Sequence, residues 1–505
     1  MNILLRFWFT ICLALSMIPL KAVALKPNQR LPASTDSLVL TVRLGQGIEM
    51  DSLFVFFINP LKGEAVIDSV AGLKMLENGV FKYCGNATGS GRLVVQAKPS
   101  KASSRRQRYL PITPVFNWCS SDSVRISMDK RNVTGLTGNT LDDYAFGFDG
   151  PGYEKYMARE KILRARLNAE PGLVVGLANS SAYHDLLAPK IDAALNTLEE
   201  LKPVLPEHYY HLFKADIIGW QASRFMRLES ACKNQSEGDS ALCQKFLWQN
   251  LHTALDSVAS EIPAAIAALS GSYTGYLHEK LLFEASLHKA AGRPLDYPSA
   301  IVKDHQRPLS DRLLLNLFLN HVQTQDINAL YQRVRPLIKD TACLTALDES
   351  AKVLPGMSVA DFELPDLTGK TMRLADFKGK MMFVDVWFTG CGACAAYYRN
   401  VLKQAEEALK DEKDIVFVSI STDRNQELWK RSLASGKYSS TNVLNLYTKG
   451  ADHPWVKYYH FESVPKMIII NRKGQIERIF NNGLAEGINT TTALISTLKM
   501  YQGER

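Results

Sequence analysis

Long apolar runs are missing from this chain after its first twenty residues. No later stretch reaches the roughly 18 apolar residues of a membrane-spanning helix, which excludes a polytopic membrane protein. Cysteine is scarce: eight in 505 residues, too few for a disulfide-built scaffold, so their positions matter more than their number. Glycine and proline, 31 and 21 in all, are too few for a collagen-like repeat. No fixed repeat period appears, so a solenoid is not expected. Neither sign of charge dominates. The 59 Lys and Arg against 51 Asp and Glu leave a net +8, a mild bias over this length that gives no reason to expect a nucleic-acid partner. What is present is ordinary. Hydrophobic residues make up 46% and charged residues 22%, the balance of a soluble globular protein and not of a disordered chain. At about 100–200 residues per domain, the length suggests about three domains.

The first 24 residues set the expected compartment. Arg6 precedes a run of fourteen apolar-rich residues, 7–20, too short to span a bilayer comfortably. Pro19 breaks the run, and Ala22-Val23-Ala24 supplies the small-x-small pattern that a signal peptidase accepts. Residues 1–24 read as a cleaved secretory signal; an uncleaved anchor is the plainer alternative. A lipoprotein signal fits poorly, because Cys12 lies inside the apolar run. The expected location is the periplasm or cell envelope, an oxidising space.

In that space free thiols invite pairing. Cys84 and Cys119 share a strand-rich region, and Cys232 and Cys243 flank a polar loop; both couples are candidate structural disulfides, with free thiols as the alternative. Cys343 has no evident partner and reads as a buried thiol. Cys391 and Cys394 belong to a different argument.

Three regions follow one another. Residues 35–135 read as short strands separated by turns, which predicts a small antiparallel β-sandwich-like domain. The polar, basic stretch 98–108 reads as a solvated hairpin loop rather than an anion-binding surface. Residues 150–350 are helical by periodicity, with one apolar face recurring at Tyr183, Leu187, Ile191, Leu195, Leu198 and Leu201. Similar faces recur over 208–228, 242–262, 273–291, 309–322 and 327–338. His208, His211, His278 and His288 fall there without the carboxylate or cysteine cluster that a metal would need, so no metal site is expected. From 353 to 505 strands alternate with helices, the pattern of an α/β sheet covered on both faces.

The chemistry-bearing residues are in FVDVWFTGCGACAAYY. Cys391-Gly392-Ala393-Cys394 stands where an apolar strand ends and a helix begins. A sulfur at a helix N-terminus faces free N–H groups and the positive end of the helix dipole, which favour the thiolate, the nucleophile of disulfide exchange. Cys394, one turn on, is placed to close a short reversible disulfide with Cys391. Rival uses fail on spacing. A zinc ribbon needs a second ligand pair nearby. A haem attachment site needs His where Ala395 stands. A peroxidase cysteine does not usually carry a second cysteine three residues on, and a purely structural disulfide is the plainest alternative.

Three further residues belong with the pair. Asp385 interrupts the apolar strand, where a carboxylate is costly to bury; it is placed to take the proton that Cys394 loses. Pro465 follows Val464 just before the strand KMIII, and a cis bond there would present backbone groups beside the CxxC loop; an ordinary trans proline opening a strand is the alternative. Trp387 is expected to pack beneath the loop.

These residues resemble the thioredoxin superfamily and, more closely, the exported TlpA/ResA-type thiol–disulfide oxidoreductases. The resemblance rests on LTGKTMRLADFKGK, FVDVWF, CGAC, SVPKMIIINRKGQI and a closing helix, and it covers about the last 30% of the chain. It implies a thioredoxin-like fold, a nucleophilic Cys391, a resolving Cys394, a cis Pro465 and a buried acid at Asp385. The chain departs from the pattern after CxxC, where it reads AAYYRN, and at Lys466, where Thr often follows the cis proline. The first 350 residues are similar only loosely to the long N-terminal extensions of some envelope members.

The expected function is therefore that of an exported thiol–disulfide oxidoreductase acting on protein disulfides without a bound cofactor, its electrons drawn from a separate donor such as a membrane reductase. Gly392-Ala393 contributes neither positive charge nor His to stabilise the thiolate, which favours a reductant over an oxidant or isomerase. The rival reading is an envelope protein that binds a peptide or glycan through residues 35–350, with an ancillary redox domain.

Overall fold

In the computed structural model, the described residues are 37–98 and 109–131 except 49, 60, 62–66, 78, 87 and 88; 143–169; 180–232; 261–320 except 291 and 293; and 327–503 except 460, 462 and 481–486. The signal-like segment, most of the basic stretch 98–108, the helical pattern over 242–260 and Cys243 lie outside them, as does the side chain of Cys232. They divide into two compact units. One runs to Leu317 and includes Leu337–Ala346; the other comprises Phe318–Pro336 and the chain from Leu347. The strand and helix regions that the sequence separates at 135–150 thus share one unit.

The first unit opens with β1 (Ser37–Leu44). Its alternation buries Leu38, Leu40, Val42 and Leu44, as expected of a strand with one face in a core. β2 (Ser52–Ile58), β3 (Ile67–Gly72), β4 (Lys74–Glu77), β5 (Val80–Asn86), β6 (Ser90–Lys98), β7 (Leu110–Pro111), β8 (Phe116–Cys119), β9 (Ser123–Lys130) and β10 (Tyr144–Asp149) follow. They form two sheets, β10-β9-β1-β5-β4 and β3-β2-β6-β7, with β8 also on β6. Leu40 and Ile126 from the first meet Val55, Leu93 and Phe116 from the second in one apolar cluster.

Two expectations need correction here. The domain is not purely antiparallel: β9 runs parallel to β1. The chain crosses to the other sheet between them and re-enters beside β1 in the same direction, so no hairpin joins the pair. Nor do Cys84 and Cys119 form a disulfide; both are free. Cys84 lies on β5, whose Phe81 points into the core, so the opposite parity turns Cys84 to solvent. Cys119 lies in the other sheet, and its thiol donates to Asp122 Oδ1 at 3.1 Å.

Helices α1 (Glu154–Asn168), α2 (Ser180–Leu201) and α3 (Glu207–Cys232) pack through Ala158, Ile162, Ala194, Leu198, Tyr209 and Phe213. The unit continues through α4 (Ala264–Ala267), α5 (Gly271–Ala290) and α6 (Tyr297–Asp304) into α7 (Leu309–Asn320). Buried ion pairs lie between the sheets and the helices. Arg92 Nη2 donates to both oxygens of Asp216, at 2.8 and 3.1 Å, and Ser270 Oγ donates to Oδ1 at 2.6 Å. Lys155 forms a buried ion pair with Asp122, whose other oxygen accepts from Tyr156 Oη at 2.9 Å. Cys343, in α9 (Thr341–Ala351) after α8 (Ile327–Val334), is a buried free thiol pushed up to about 12 by burial first and then by Asp340.

In the second unit a hairpin of β11 (Glu363–Pro365) and β12 (Thr371–Arg373) precedes β13 (Met381–Trp387). The sheet order is β15-β14-β13-β16-β17, with β14 (Ile415–Ser421), β15 (Leu444–Tyr447), β16 (Lys466–Ile470) and β17 (Ile476–Phe480). β13 is parallel to β14 and antiparallel to β16. As the central strand it is buried along its whole length. Met382, Val384 and Val386 face one cluster with Ile420, Trp455 and Ile468. Met381 and Phe383 face another with Tyr397, Tyr398, Leu402, Met467 and Leu498. The second cluster is covered by α10 (Gly392–Tyr397), a π-helical turn (Tyr398–Leu402), α11 (Lys403–Ala408) and a closing helix, α14 (Thr491–Gly503). The latter helix follows α12 (Gln426–Ala434) and α13 (Pro454–Tyr458). Residues 391–410 therefore do not form one continuous α-helix: the π-turn interrupts them.

The buried pair in the first unit carries a stability prediction. Asp122→Ala leaves Lys155 without its carboxylate partner and is expected to cost about 3–5 kcal/mol in urea unfolding. Asp149→Ala, which removes an exposed pair with Arg125, should cost about 0–1 kcal/mol. Equal costs would show that burial of the Asp122 pair is not what matters.

Candidate active site

β13 delivers the chain to the site and α10 receives it. Cys391 is the N-cap of α10, with φ −70° and ψ 99°, and its Sγ accepts the Cys394 N–H at 3.1 Å. The next donor, Ala395 N–H, goes to Cys391 O at 3.1 Å. Cys391 and Cys394 form a disulfide, with Cα atoms 5.3 Å apart. Both are buried, at 8% and 4% exposure, whereas Gly392 and Ala393 between them are exposed. The site thus places one sulfur at the edge of accessibility and holds it against a helix N-terminus.

The loop before the pair is fastened from below. Gly390 has φ +100°, a conformation that L side chains rarely adopt. Its N–H donates to Tyr438 Oη at 2.9 Å, and the Tyr438 ring stacks on Trp387 at 4.8 Å with an interplanar angle of 1°. Trp387 is fully buried and donates from Nε1 to Ser419 Oγ at 2.7 Å. Asp423 accepts from the Thr389 N–H at 2.9 Å and from Thr389 Oγ1 at 2.7 Å. Trp429, stacked on Tyr447 at 4.9 Å, packs with Trp387, Leu433 and both cysteines. Phe388 stands out from this packing at 40% exposure.

Val464–Pro465 is cis, and Val464 O lies 4.0 Å from Cys391 Sγ. The β16 start therefore sits beside the disulfide. Asp385 lies within β13, paired with Ser419 on β14 and Met467 on β16, and is 4% exposed. By strand alternation its side chain shares the face of Met381 and Phe383. Burial pushes its carboxyl up to about 8, with the charge of Glu406 a second cause. Glu406, on α11, is itself buried and pushed up to about 7 by desolvation, against the hydrogen bonds and cation that lower it.

The residues named by sequence, Cys391, Cys394, Pro465 and Trp387, thus meet at one end of the sheet, and Asp385 lies two residues before the end of β13. Tyr438, Asp423 and Glu406 were missed. No local pattern marks them: Tyr438 and Asp423 hold the loop from 48 and 34 positions away, and Glu406 stands in the helical run KQAEEALK beside an equally plausible Glu407.

The redoxin family matches residues 354–494. Thiol-disulfide oxidoreductase ResA of Bacillus subtilis is 22% identical over 134 residues, covering 26% of this chain and 70% of that protein. Thioredoxin-like protein YneN of the same organism is 27% identical over 124 residues, covering 25% and 69%. Among solved structures, the thioredoxin domain of a thiol-disulfide oxidoreductase from Bacteroides vulgatus is similar at 27% identity, with a TM-score of 0.25, covering 30% of this chain and 98% of that one. The C-terminal part of the chain thus matches the redoxin family and is similar to thiol–disulfide oxidoreductases.

The burial of Asp385 fixes a pH dependence of stability. Its carboxyl titrates near 8 when folded and near an ordinary carboxylate value when unfolded. Between these values the folded state holds the extra proton, so stability falls as pH rises. Asp385→Asn abolishes that loss. Its gain over the wild type, read from urea unfolding of the oxidised protein, should grow by about 2–4 kcal/mol from pH 5 to pH 9. A gain that does not change with pH would show that Asp385 ionises as readily in the folded protein as in the unfolded chain.

Proposed function

We propose that this chain is an exported oxidoreductase that reduces protein disulfides with a Cys391–Cys394 dithiol. The observation that carries the reading is the Cys391 sulfur at the N-cap of α10, accepting a backbone N–H at 3.1 Å. A group that stabilises a sulfur acceptor stabilises a thiolate more.

The reaction runs in two exchanges. The Cys391 thiolate attacks one sulfur of a substrate disulfide; a mixed disulfide forms and the other substrate sulfur leaves as thiolate. Cys394 then gives its proton to ionised Asp385 and attacks Cys391 Sγ. The Cys391–Cys394 bond forms, and the second substrate thiolate departs. Two electrons pass from the dithiol to the substrate. A separate dithiol donor, such as a membrane reductase, returns them and regenerates the pair. Val464 O and the backbone around Pro465 lie beside Cys391, where an extended substrate segment would meet them.

A reductant is the favoured direction. Gly392 and Ala393 bring no charge, and Trp387, Trp429, Leu433 and Tyr447 pack the sulfurs without adding one. Strong oxidants owe their potential to a heavily stabilised reduced form. Placement in the periplasm or cell envelope is supported by the signal-like pattern of residues 1–24. No helix among the described residues is long and apolar enough to cross a membrane.

Insulin reduction followed by turbidity tests the roles. Cys391→Ala is expected to abolish activity. Cys394→Ala should instead accumulate a mixed disulfide through Cys391, released by dithiothreitol and visible on non-reducing gels. Activity retained by Cys391→Ala would overturn the assignment.

A further inference from the structure

Trp429 carries a buried polar atom that the packing described above leaves unexplained. Its place follows from α12, QELWKRSLA. Trp429, Ser432 and Leu433 share the buried face of that helix, while the exposed Glu427 and Lys430 pair with each other. The Trp429 indole is fully buried, and its Nε1–H finds no acceptor among the described residues. A donor in that state has given up its hydrogen bond to water for nothing, and such groups call for a reason.

The surroundings narrow what the reason is. Trp429 packs in one cluster with Trp387, Leu433, Tyr447 and both cysteines, and the half-buried Tyr438 and Val464 lie against it. The other polar side-chain groups there are engaged. Trp387 Nε1 donates to Ser419 Oγ at 2.7 Å, Tyr447 Oη donates to Arg424 O at 2.8 Å, and Tyr438 Oη accepts the Gly390 N–H at 2.9 Å. Asp423, which fixes the preceding loop, accepts from Thr389 and from Ser421 Oγ. The side-chain atoms left in the cluster that accept a hydrogen bond are the two sulfurs.

We propose that the Trp429 N–H is reserved for the Cys391 thiolate: idle against the disulfide, it donates to the sulfur once the bridge is reduced. The inference rests on the exchange chemistry proposed above and adds to it a residue that holds the nucleophile. A neutral sulfur is a weak acceptor, whereas a thiolate is an anion and takes a charge-assisted bond. Freed from the bridge, the Cys391 side chain is also able to change rotamer towards the donor. The unmade bond therefore burdens the oxidised form alone. Making it stabilises the reduced pair and lowers the affinity of Cys391 for its proton. Cys391 Sγ already accepts one N–H, from Cys394 at the start of α10, and Trp429 supplies a second from another helix. Because the donor is neutral, it tunes the pair without the heavy stabilisation that makes a strong oxidant.

The titratable groups near Cys391 come from several elements. Tyr438 and Tyr447 supply phenols, that of Tyr447 pushed up by burial first and then by Asp423. On β13, Asp385 lies two residues before Trp387 on the same face by alternation and is pushed up to about 8. Asp423 lies beneath the loop, and the half-buried Lys466 opens β16. All of these are common to the proteins compared below.

Two measurements on the full-length protein test the assignment. The first follows the indole 15N–1H resonances, with that of Trp429 identified through its contacts with the stacked Tyr447 ring. In the reduced protein this resonance should move downfield and titrate with the Cys391 thiol. In the oxidised protein it should not titrate, and the Trp387 resonance, already bonded to Ser419, should stay in place in both. The second uses Trp429→Phe, which keeps a ring against Tyr447 and removes the N–H. In a Cys394→Ala background, the pH midpoint for alkylation of Cys391, read by mass spectrometry of its peptide, should rise by about one unit. With both cysteines present, the equilibrium with dithiothreitol should shift about tenfold towards the disulfide, about 30 mV. A Trp429 resonance that is the same in both redox states overturns the proposal, and so does a folded Trp429→Phe protein with midpoint and equilibrium unmoved. If that variant does not fold, the wild-type resonance decides alone. Insulin reduction by the wild type tests the exchange chemistry separately: its absence sinks both readings, whereas an active wild type with an unmoved resonance sinks this role only.

Discussion

Desolvation of one carboxyl organises the second unit. Asp385 sits in the middle of an apolar strand buried along its length, where an ion is far costlier than in water. The residues around it are consistent with that constraint. Its strand neighbours offer a methionine and a serine already engaged by Trp387. Its helical neighbours offer two neutral tyrosines and a second acid. The group is held close to the protonation range of a thiol, directly below the end of the strand that delivers one. The cost to the fold and the proposed use of this group arise from the same burial.

Around the sulfurs the organising principle is different. The loop of residues 388–390, which includes the left-handed Gly390, is held by the Tyr438 ring and the Asp423 carboxylate, each from a separate part of the chain. Such support fixes the cysteine geometry without placing charge on it. Polar contacts grip the loop backbone, and aromatic rings pack against the sulfurs. A thiolate in that setting depends mainly on the helix N-terminus. The first unit uses charge in yet another way, as buried pairs that join helices to a strand or to the turn before β9: Arg92 with Asp216, and Lys155 with Asp122. Breaking such a pair strands a buried charge, which costs far more than the pair adds in net stability.

Much of the redox domain is legible in the sequence because its signals are local or chemically incongruous. CGAC after an apolar strand needs only spacing. Asp385 is conspicuous as the one acid in MMFVDVWF. Pro465 before KMIII marks a strand entry. The rest depends on groups brought from afar. Glu406 and Glu407 are interchangeable on paper, and only the phase set by the π-turn separates the buried acid from the exposed one. The Cys84–Cys119 expectation fails for a related reason: strand content reveals neither which sheet a strand joins nor which face a residue takes.

Sequence alone determined the Cys391–Cys394 pair, its place at a strand–helix junction, the alternation of the C-terminal domain and the helical middle of the chain. Those features follow from composition, spacing and period, which act over a few residues. Tertiary structure decided the parallel return of β9 beside β1, the fastening of the loop before Cys391 by Tyr438 and Asp423, and the burial of Glu406 rather than Glu407. These depend on contacts between residues tens of positions apart, whose partners are chosen by packing and desolvation across the whole core rather than by any local preference.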